Sequence, residues 1–198
     1  MRAPEDRTLE EKRVVETFLT DRTEESFLPL FAAFCVRIRR FFLLHGLDTH
    51  IAEDLSQEVF LKVYRKANEV RDTDRFCAWM YAIARNVLIS HWRQQKTRIV
   101  ETELEPLGSG VTGVLVSESD GIPKLRLMEW LEGLETGERD LVILRFVDGL
   151  SYKELAVALN EPVGTIKWRI SEVRRKLAFI INPSGSFNRQ QRASQKLS

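Results

Sequence analysis

Along most of this chain apolar residues recur at three- and four-residue spacing, the period of a helix with one buried face, and strict alternation is weak. A first amphipathic stretch covers about 9–19, with Val14, Val15, Phe18 and Leu19 at helical spacing. A second covers about 26–45. Pro29 falls inside it and fits if Ser26 is the N-cap, because first-turn N–H groups have no intrahelical acceptor to lose. A third begins at Asp48 or Thr49 and ends near Asn68; its stripe is Ile51, Leu55, Val59 and Val63, flanked by Phe60 and Ala67. A fourth covers about 74–95, with Phe76, Trp79, Met80, Ile83, Val87 and Ile89 toward the core. These four predict one helical domain over residues 1–96.

The pattern breaks at 97–122, which holds Pro106, a Gly-Ser-Gly at 108–110, Gly113 and five carboxylates, the composition of a flexible linker. The one β-branched run, Val111 to Val116, lies inside it. Helical spacing resumes at about 123–134 and 137–147, and Gly149 permits a sharp turn. Ser151-Tyr152-Lys153-Glu154 then reads as a capping box, with Ser at the N-cap and Glu three residues on. The helix it opens ends near Leu159, Asn160-Glu161 makes a tight turn, and Pro162 suits the first turn of a last helix to about Ile180. A second domain is therefore expected over 123–181. The tail, 182–198, has no acidic residue and little apolar content, and reads as a disordered basic extension. The expected fold class is all-α: two small helical domains joined by a flexible linker.

Composition narrows the function classes. The 198 residues are 43% apolar, as in an ordinary folded protein. No apolar run approaches the roughly 18 to 20 residues of a membrane-spanning helix, and the acidic, polar start is unlike a secretory signal. Cys35 and Cys77 lack C-x-x-C spacing, which argues for a reducing, cytoplasmic setting and against a metal site. His45, His50 and His91 are scattered, with no nucleophile–base pair and no glycine-rich phosphate loop; an enzyme, a cofactor and a small-molecule substrate are not expected.

Charge changes the picture more. Thirty basic and 29 acidic residues leave a formal net charge of +1, but residues 31–98 carry net +5, 99–138 net −7 and 139–198 net +6. Two basic blocks separated by an acidic one suggest two nucleic-acid-facing units. The short capped helix, tight turn and longer basic helix near the C-terminus form a helix-turn-helix pattern. On the last helix Ile166, Ile170, Val173 and Leu177 share one face, and Trp168, Ser171, Glu172 and Arg175 lie opposite. Lys167 and Arg174 flank that front on one side, Arg169 and Lys176 on the other. Such a surface fits a major groove, with rim cations on phosphates and front residues on base edges. A solvated amphipathic helix accounts for the charges equally well but leaves Trp168 without a purpose. Lys153 meets either a phosphate or water. In the third helix Asp54, Gln57, Glu58 and Lys62 form a polar stripe, by itself no more than a wet face. In the fourth, Phe76, Trp79, Tyr81 and Trp92 alternate with Arg75, Arg85, Asn86 and Arg93, a mixture able to stack unpaired bases, although Phe76 and Trp79 fit a core role better.

Taken together, these motifs resemble bacterial RNA polymerase sigma factors of the extracytoplasmic-function (ECF) type. Residues 54–64, DLSQEVFLKVY, resemble region 2.2. Residues 76–93, FCAWMYAIARNVLISHWR, resemble region 2.3 and its continuation. Residues 138–177 resemble region 4, and the stretch PVGTIKWR within them is especially family-like. The resemblance covers about 10–96 and 123–180. It implies an alternative sigma factor that binds core RNA polymerase and starts transcription at promoters with −10 and −35 elements. Its partners would be the β′ clamp helices and β flap of the polymerase, promoter DNA and, as in many members, an anti-sigma factor. It places Asp54, Gln57, Glu58 and Lys62 at the polymerase. It places Arg71, Asp72, Thr73, Asp74, Arg75, Asn86 and Arg93 at the −10 element, where a base is flipped into a pocket. It places Lys153, Thr165, Lys167, Trp168, Arg169, Ser171, Glu172, Arg174 and Arg175 at the −35 element. Three positions depart from the family pattern: Trp168 where a small residue is usual, Glu172 where a cation is common, and Ser90 for a common Asp. The competing reading is a helix-turn-helix regulator that never joins the polymerase. That reading leaves the DLSQEVF helix unexplained.

Overall fold

The computed structural model describes residues 4–70, 72–102 and 124–181. All regular structure among them is helical: α1 (Pro4–Asp21), α2 (Glu24–Leu44), α3 (Thr49–Lys66, continued by a 3-10 turn Ala67–Glu69), α4 (Thr73–Thr102), α5 (Lys124–Glu132), α6 (Thr136–Val142, continued by a π-helical turn Ile143–Val147), α7 (Tyr152–Leu159) and α8 (Val163–Ile181). The fold is all-α in two helical domains, as the patterning predicts. The tail, and all but the first residues of the expected linker, lie outside the described residues.

Helices α1 to α4 pack around a core that includes Phe18, Phe34, Phe41, Phe76, Met80 and Tyr81, each almost fully removed from water. Each such side chain contributes about 1.5–3 kcal/mol of transfer free energy. The second domain centres on Leu131, Leu141, Leu144, Leu155, Ile166 and Ile170. There α8 packs on α5, α6 and α7.

Two boundaries and the form of one helix end differ from the sequence reading. Thr23, not Ser26, caps α2: Thr23 Oγ1 accepts the Ser26 N–H at 3.2 Å, while Ser26 Oγ accepts the Thr23 N–H at 3.1 Å. Ser26 is thus the third helical residue of a reciprocal box, and Pro29 lies in the second turn, leaving the Glu25 carbonyl without its usual donor. Helix α4 runs through Thr102 into the expected linker. No Gly or Pro interrupts it before Pro106, and Thr97 Oγ1 donates to the Arg93 carbonyl at 3.0 Å. Finally, the sixth helix ends in a π turn, with the Asp148 N–H donating to the Ile143 carbonyl at 3.0 Å. Gly149, at φ +78°, then reverses the chain.

Candidate polymerase and nucleic-acid interfaces

The N-cap of α3 sets which side chains face out. Asp48 Oδ1 accepts the Ile51 N–H at 3.0 Å, and from that start Leu55, Val59 and Val63 turn inward. Asp54, Gln57 and Glu58 are left exposed on the opposite face; Lys62 is half-buried and its ammonium pairs with Glu58 at 2.6 Å. Leu61, one turn beyond Gln57 and Glu58, is 55% exposed. Sequence reasoning passed over it, although a Leu outside the Ile51–Leu55–Val59–Val63 stripe was the available signal.

The acids and bases ahead of α4 satisfy one another. Asp72 Oδ1 accepts the Asp74 N–H at 3.0 Å and caps the helix, and its other oxygen pairs with Arg75 Nε at 3.2 Å. Asp74 pairs with Lys12 at 2.8 Å; that hydrogen bond and the Asp74 charge raise the Lys12 pKa. Thr73 is half-buried, and Arg71 lies outside the described residues. Asn86 is exposed but sits about 18 Å along the helix from Asp74, at 1.5 Å per residue. Asp74 and Asn86 thus lie at different heights along α4. Asn86, Ser90 and Arg93 share an exposed face at i, i+4 and i+7. Phe76 and Tyr81 are fully buried, with Trp79 and Trp92 partly buried against the core, so packing claims the aromatics that could have stacked bases.

The last helix matches its predicted wheel. Ile166, Ile170 and Val173 are buried and Leu177 is partly so, whereas Thr165, Lys167, Trp168, Ser171, Arg174 and Arg175 are exposed, Trp168 by 65%. Lys153 is exposed at the start of α7. The box that opens α7 is made on both sides: Ser151 Oγ accepts the Glu154 N–H at 3.3 Å, and Glu154 Oε2 accepts the Ser151 N–H at 2.7 Å. Asn160 ends the helix in the left-handed region at φ +53°, which makes the turn tight. Four front or rim residues, Arg169, Glu172, Arg175 and Lys176, are already paired. Arg169 pairs with Glu161 in the turn and donates to the Gly137 carbonyl at 2.9 Å, bracing α8 against α6. Glu172 is half-buried and pairs with Arg175 on its own helix. Lys176 pairs with Glu138, whose hydrogen bond raises the lysine's pKa.

Residues 25–98 match the Sigma-70 region 2 family and residues 124–177 the Sigma-70 region 4 family. The chain is 30% identical over 140 residues to the ECF RNA polymerase sigma factor SigW of Bacillus subtilis (strain 168), a match covering 66% of this chain and 75% of that protein. It is 31% identical to the ECF RNA polymerase sigma-E factor of Escherichia coli (strain K12), covering 66% and 73%. This chain belongs to the ECF sigma factors. It is an alternative sigma factor, which binds core RNA polymerase and directs initiation at promoters through their −10 and −35 elements. The fold agrees with two solved structures. One is CnrH in complex with the cytosolic domain of CnrY (TM-score 0.64, 20% identity, covering 88% of this chain and 98% of that one). The other is the sigma factor RpoE in complex with the anti-sigma factor NepR from Bartonella quintana (TM-score 0.59, 22% identity, covering 76% and 94%). Among the described residues no helix is long and apolar enough to cross a membrane, and no cluster of His, Cys, Asp or Glu could hold a metal ion.

In this sigma factor the two domains meet, which no motif announced. Helix α7, the first of the helix-turn-helix, packs on α4. At one end of the junction Asp140, 1% exposed, accepts from Arg85 Nε at 2.9 Å and faces His45 Nε2 at 2.9 Å, while His45 Nδ1 meets the Phe41 carbonyl at 2.7 Å. At the other end the buried side chain of Asp148 pairs with Arg40, and its carbonyl accepts from Arg37 Nη2 at 3.3 Å. Burial alone would depress the Arg37 pKa, but Tyr81, Cys77, Asp148 and Glu11 outweigh it and hold the guanidinium charged. Burial pushes the Tyr81 phenol well above its ordinary value, and Asp148 adds to the effect.

Proposed function

We propose that the exposed face of α3, formed by Asp54, Gln57 and Glu58 with Lys62 at its edge, is the surface this factor offers to the β′ clamp helices, and that Leu61 adds an apolar contact there. The observation that carries the reading is the solvent exposure of this face on a helix whose other side is core, within the segment matching Sigma-70 region 2. Asn86 and Arg93, on one exposed face of α4, supply one part of the −10 surface, and the segment 71–75 is assigned to the same element. The −35 surface is the front of α8: Thr165, Lys167, Trp168, Ser171, Arg174 and Arg175, with Lys153 at its rim. Arg169 and Glu172 act there by bracing the helix and pairing Arg175. The functional units are 1–96, which α4 extends through Thr102, and 123–181, joined by the remainder of 97–122 and followed by the basic tail 182–198. The β flap engages the C-terminal unit. The factor carries out no chemistry itself and acts in the cytoplasm, where the polymerase is. Both solved relatives are complexes, one of them named as a sigma factor with an anti-sigma factor, which supports a partner of that kind here.

The test is a double substitution, Asp54→Ala with Gln57→Ala, in the full chain. Both side chains are exposed, so stability should stay within about 0.5 kcal/mol of wild type. Affinity for core polymerase should fall at least about tenfold, and run-off transcription with it. Unchanged affinity would remove the α3 face from the polymerase interface.

A further inference from the structure

On the front of α8, Trp168 is 65% exposed, opposite the buried Ile166, Ile170 and Val173, and leaves most of a large apolar surface in water. At i+7 from it stands Arg175, exposed, whose Nη2 donates to Glu172 Oε2 on the same face. The two flanks of this face differ in charge. On one, Arg169 is committed to Glu161 and Lys176 to Glu138. On the other, Lys167 and Arg174 are exposed and pair with no acid among the described residues; the Arg174 guanidinium lies over the Phe146 ring, 5.5 Å from its centroid. We propose that Trp168 and Arg175 select the bases of the −35 element: Trp168 meets the C5-methyl group of a thymine, and Arg175, held by Glu172, meets a guanine about three base pairs away. This rests on α8 being the −35 surface and adds which bases that surface takes. Trp168 and Glu172 stand where the chain departs from the family pattern, so the selection belongs to this chain.

The charge asymmetry sets the roll of the helix. Phosphates attract the flank of Lys167 and Arg174 and gain little from the flank whose cations are already neutralised. At 100° per residue Glu172 is turned from Trp168 toward the neutralised flank, so its carboxylate faces away from the phosphates while Trp168 and Arg175 face the groove floor. In the major groove thymine alone offers a methyl group, and an indole face is an apolar surface suited to it. Guanine offers two acceptors, O6 and N7, which match two of the five N–H donors of a guanidinium. Glu172 takes one donor of Arg175 and fixes the plane of the fork, which lowers the cost of ordering it on the base. Glu172 is thus a positioning residue, and Trp168 and Arg175 touch the bases. Seven residues of helix rise about 10 Å, or about three base-pair steps of 3.4 Å for a helix that follows the groove.

Holoenzyme assembled from core polymerase and the full-length chain would select duplexes randomised over the −35 region, upstream of a pre-melted −10 segment, with core polymerase alone as background. The enriched pool should hold a thymine and a guanine about three base pairs apart. Replacing that thymine by uracil removes only the methyl group and should weaken binding by the wild type about fourfold. Trp168→Ala should bind the two duplexes equally. The exchange alters the DNA alone, so its effect does not depend on how any variant folds. Arg175→Ala should lose at least about fivefold of the preference for guanine. Glu172→Ala should lose part of that preference, and Glu172→Gln, which keeps an acceptor, should restore it. An enriched motif indifferent to the uracil exchange, or equally sensitive to it in Trp168→Ala, overturns the thymine assignment and leaves the sigma-factor reading standing. A guanine preference undiminished in Arg175→Ala does the same for the guanine assignment. A Trp168→Ala variant that loses affinity for core polymerase and keeps the thymine preference gives the indole to the polymerase instead. No enrichment above core polymerase alone overturns the reading of α8 as a DNA surface and both assignments with it.

Discussion

Cys77 shows how a single side chain takes its properties from the docked fold. Arg37 Nη2 approaches its sulfur at 3.8 Å and would favour the thiolate, but burial dominates and pushes the thiol up to about 11. The folded chain thus prefers the neutral thiol. Its contribution to stability is complete below the unfolded value near 9.0 and is lost as pH rises toward about 11. At pH 8 the thiolate fraction in the folded protein should be about a hundredth of that in urea. Iodoacetamide labelling of Cys77, followed by mass spectrometry, should slow by at least that factor in the native state; equal rates would contradict the burial. The site was partly legible at this scale. Trp168 stood out because it sits opposite an apolar stripe, whereas Asp54, Gln57 and Glu58 were marked by the resemblance to region 2.2 and not by their spacing. His45 and Asp140 did not stand out, because an isolated His and an isolated Asp carry no mark of a partner 95 residues away.

At the scale of the element, periodicity found each described helix and its buried face, since one apolar stripe is all a helix needs to dock. Boundaries were less legible, because they depend on which of several capping groups is used. Thr23 and Ser26 compete for one end, and the pair that forms is reciprocal. The Ser151–Glu154 box was readable because its serine immediately precedes the helix and no rival cap is nearby. Ser151→Ala should cost about 1 kcal/mol, read as a lower urea midpoint at unchanged slope, and should weaken duplex binding, because α7 supports the turn into α8. No loss of stability would mean that Glu154 alone holds the helix end. The π turn before Asp148 left no trace in the pattern: it changes the register by one residue at the end of a helix, where the stripe has already finished.

For the whole molecule, the near-zero net charge conceals a segregation that should govern binding. The exposed cations Lys153, Lys167, Arg174 and Arg175 line the front and rim of the helix-turn-helix, and binding to duplex DNA should weaken steeply with salt. If each meets one phosphate, they contribute about −3 to −4 to the slope of log K against log salt, and Lys167→Ala should reduce the slope's magnitude by about 1. An anisotropy titration between low and moderate salt checks this; an unaltered slope would place Lys167 away from the backbone. The amino-acid sequence by itself determined the all-helical class, the two-unit organisation, the wheel of the recognition helix and the family, because each is written in local spacing or in contiguous motifs. The tertiary structure alone decided that Asp140 and Asp148 would be buried against Arg85, His45 and Arg40, that Arg169 would brace rather than stand free, and that Tyr81 would be core. Those outcomes depend on how one amphipathic face docks on another, and spacing along a helix records which side is apolar without recording what that side will meet.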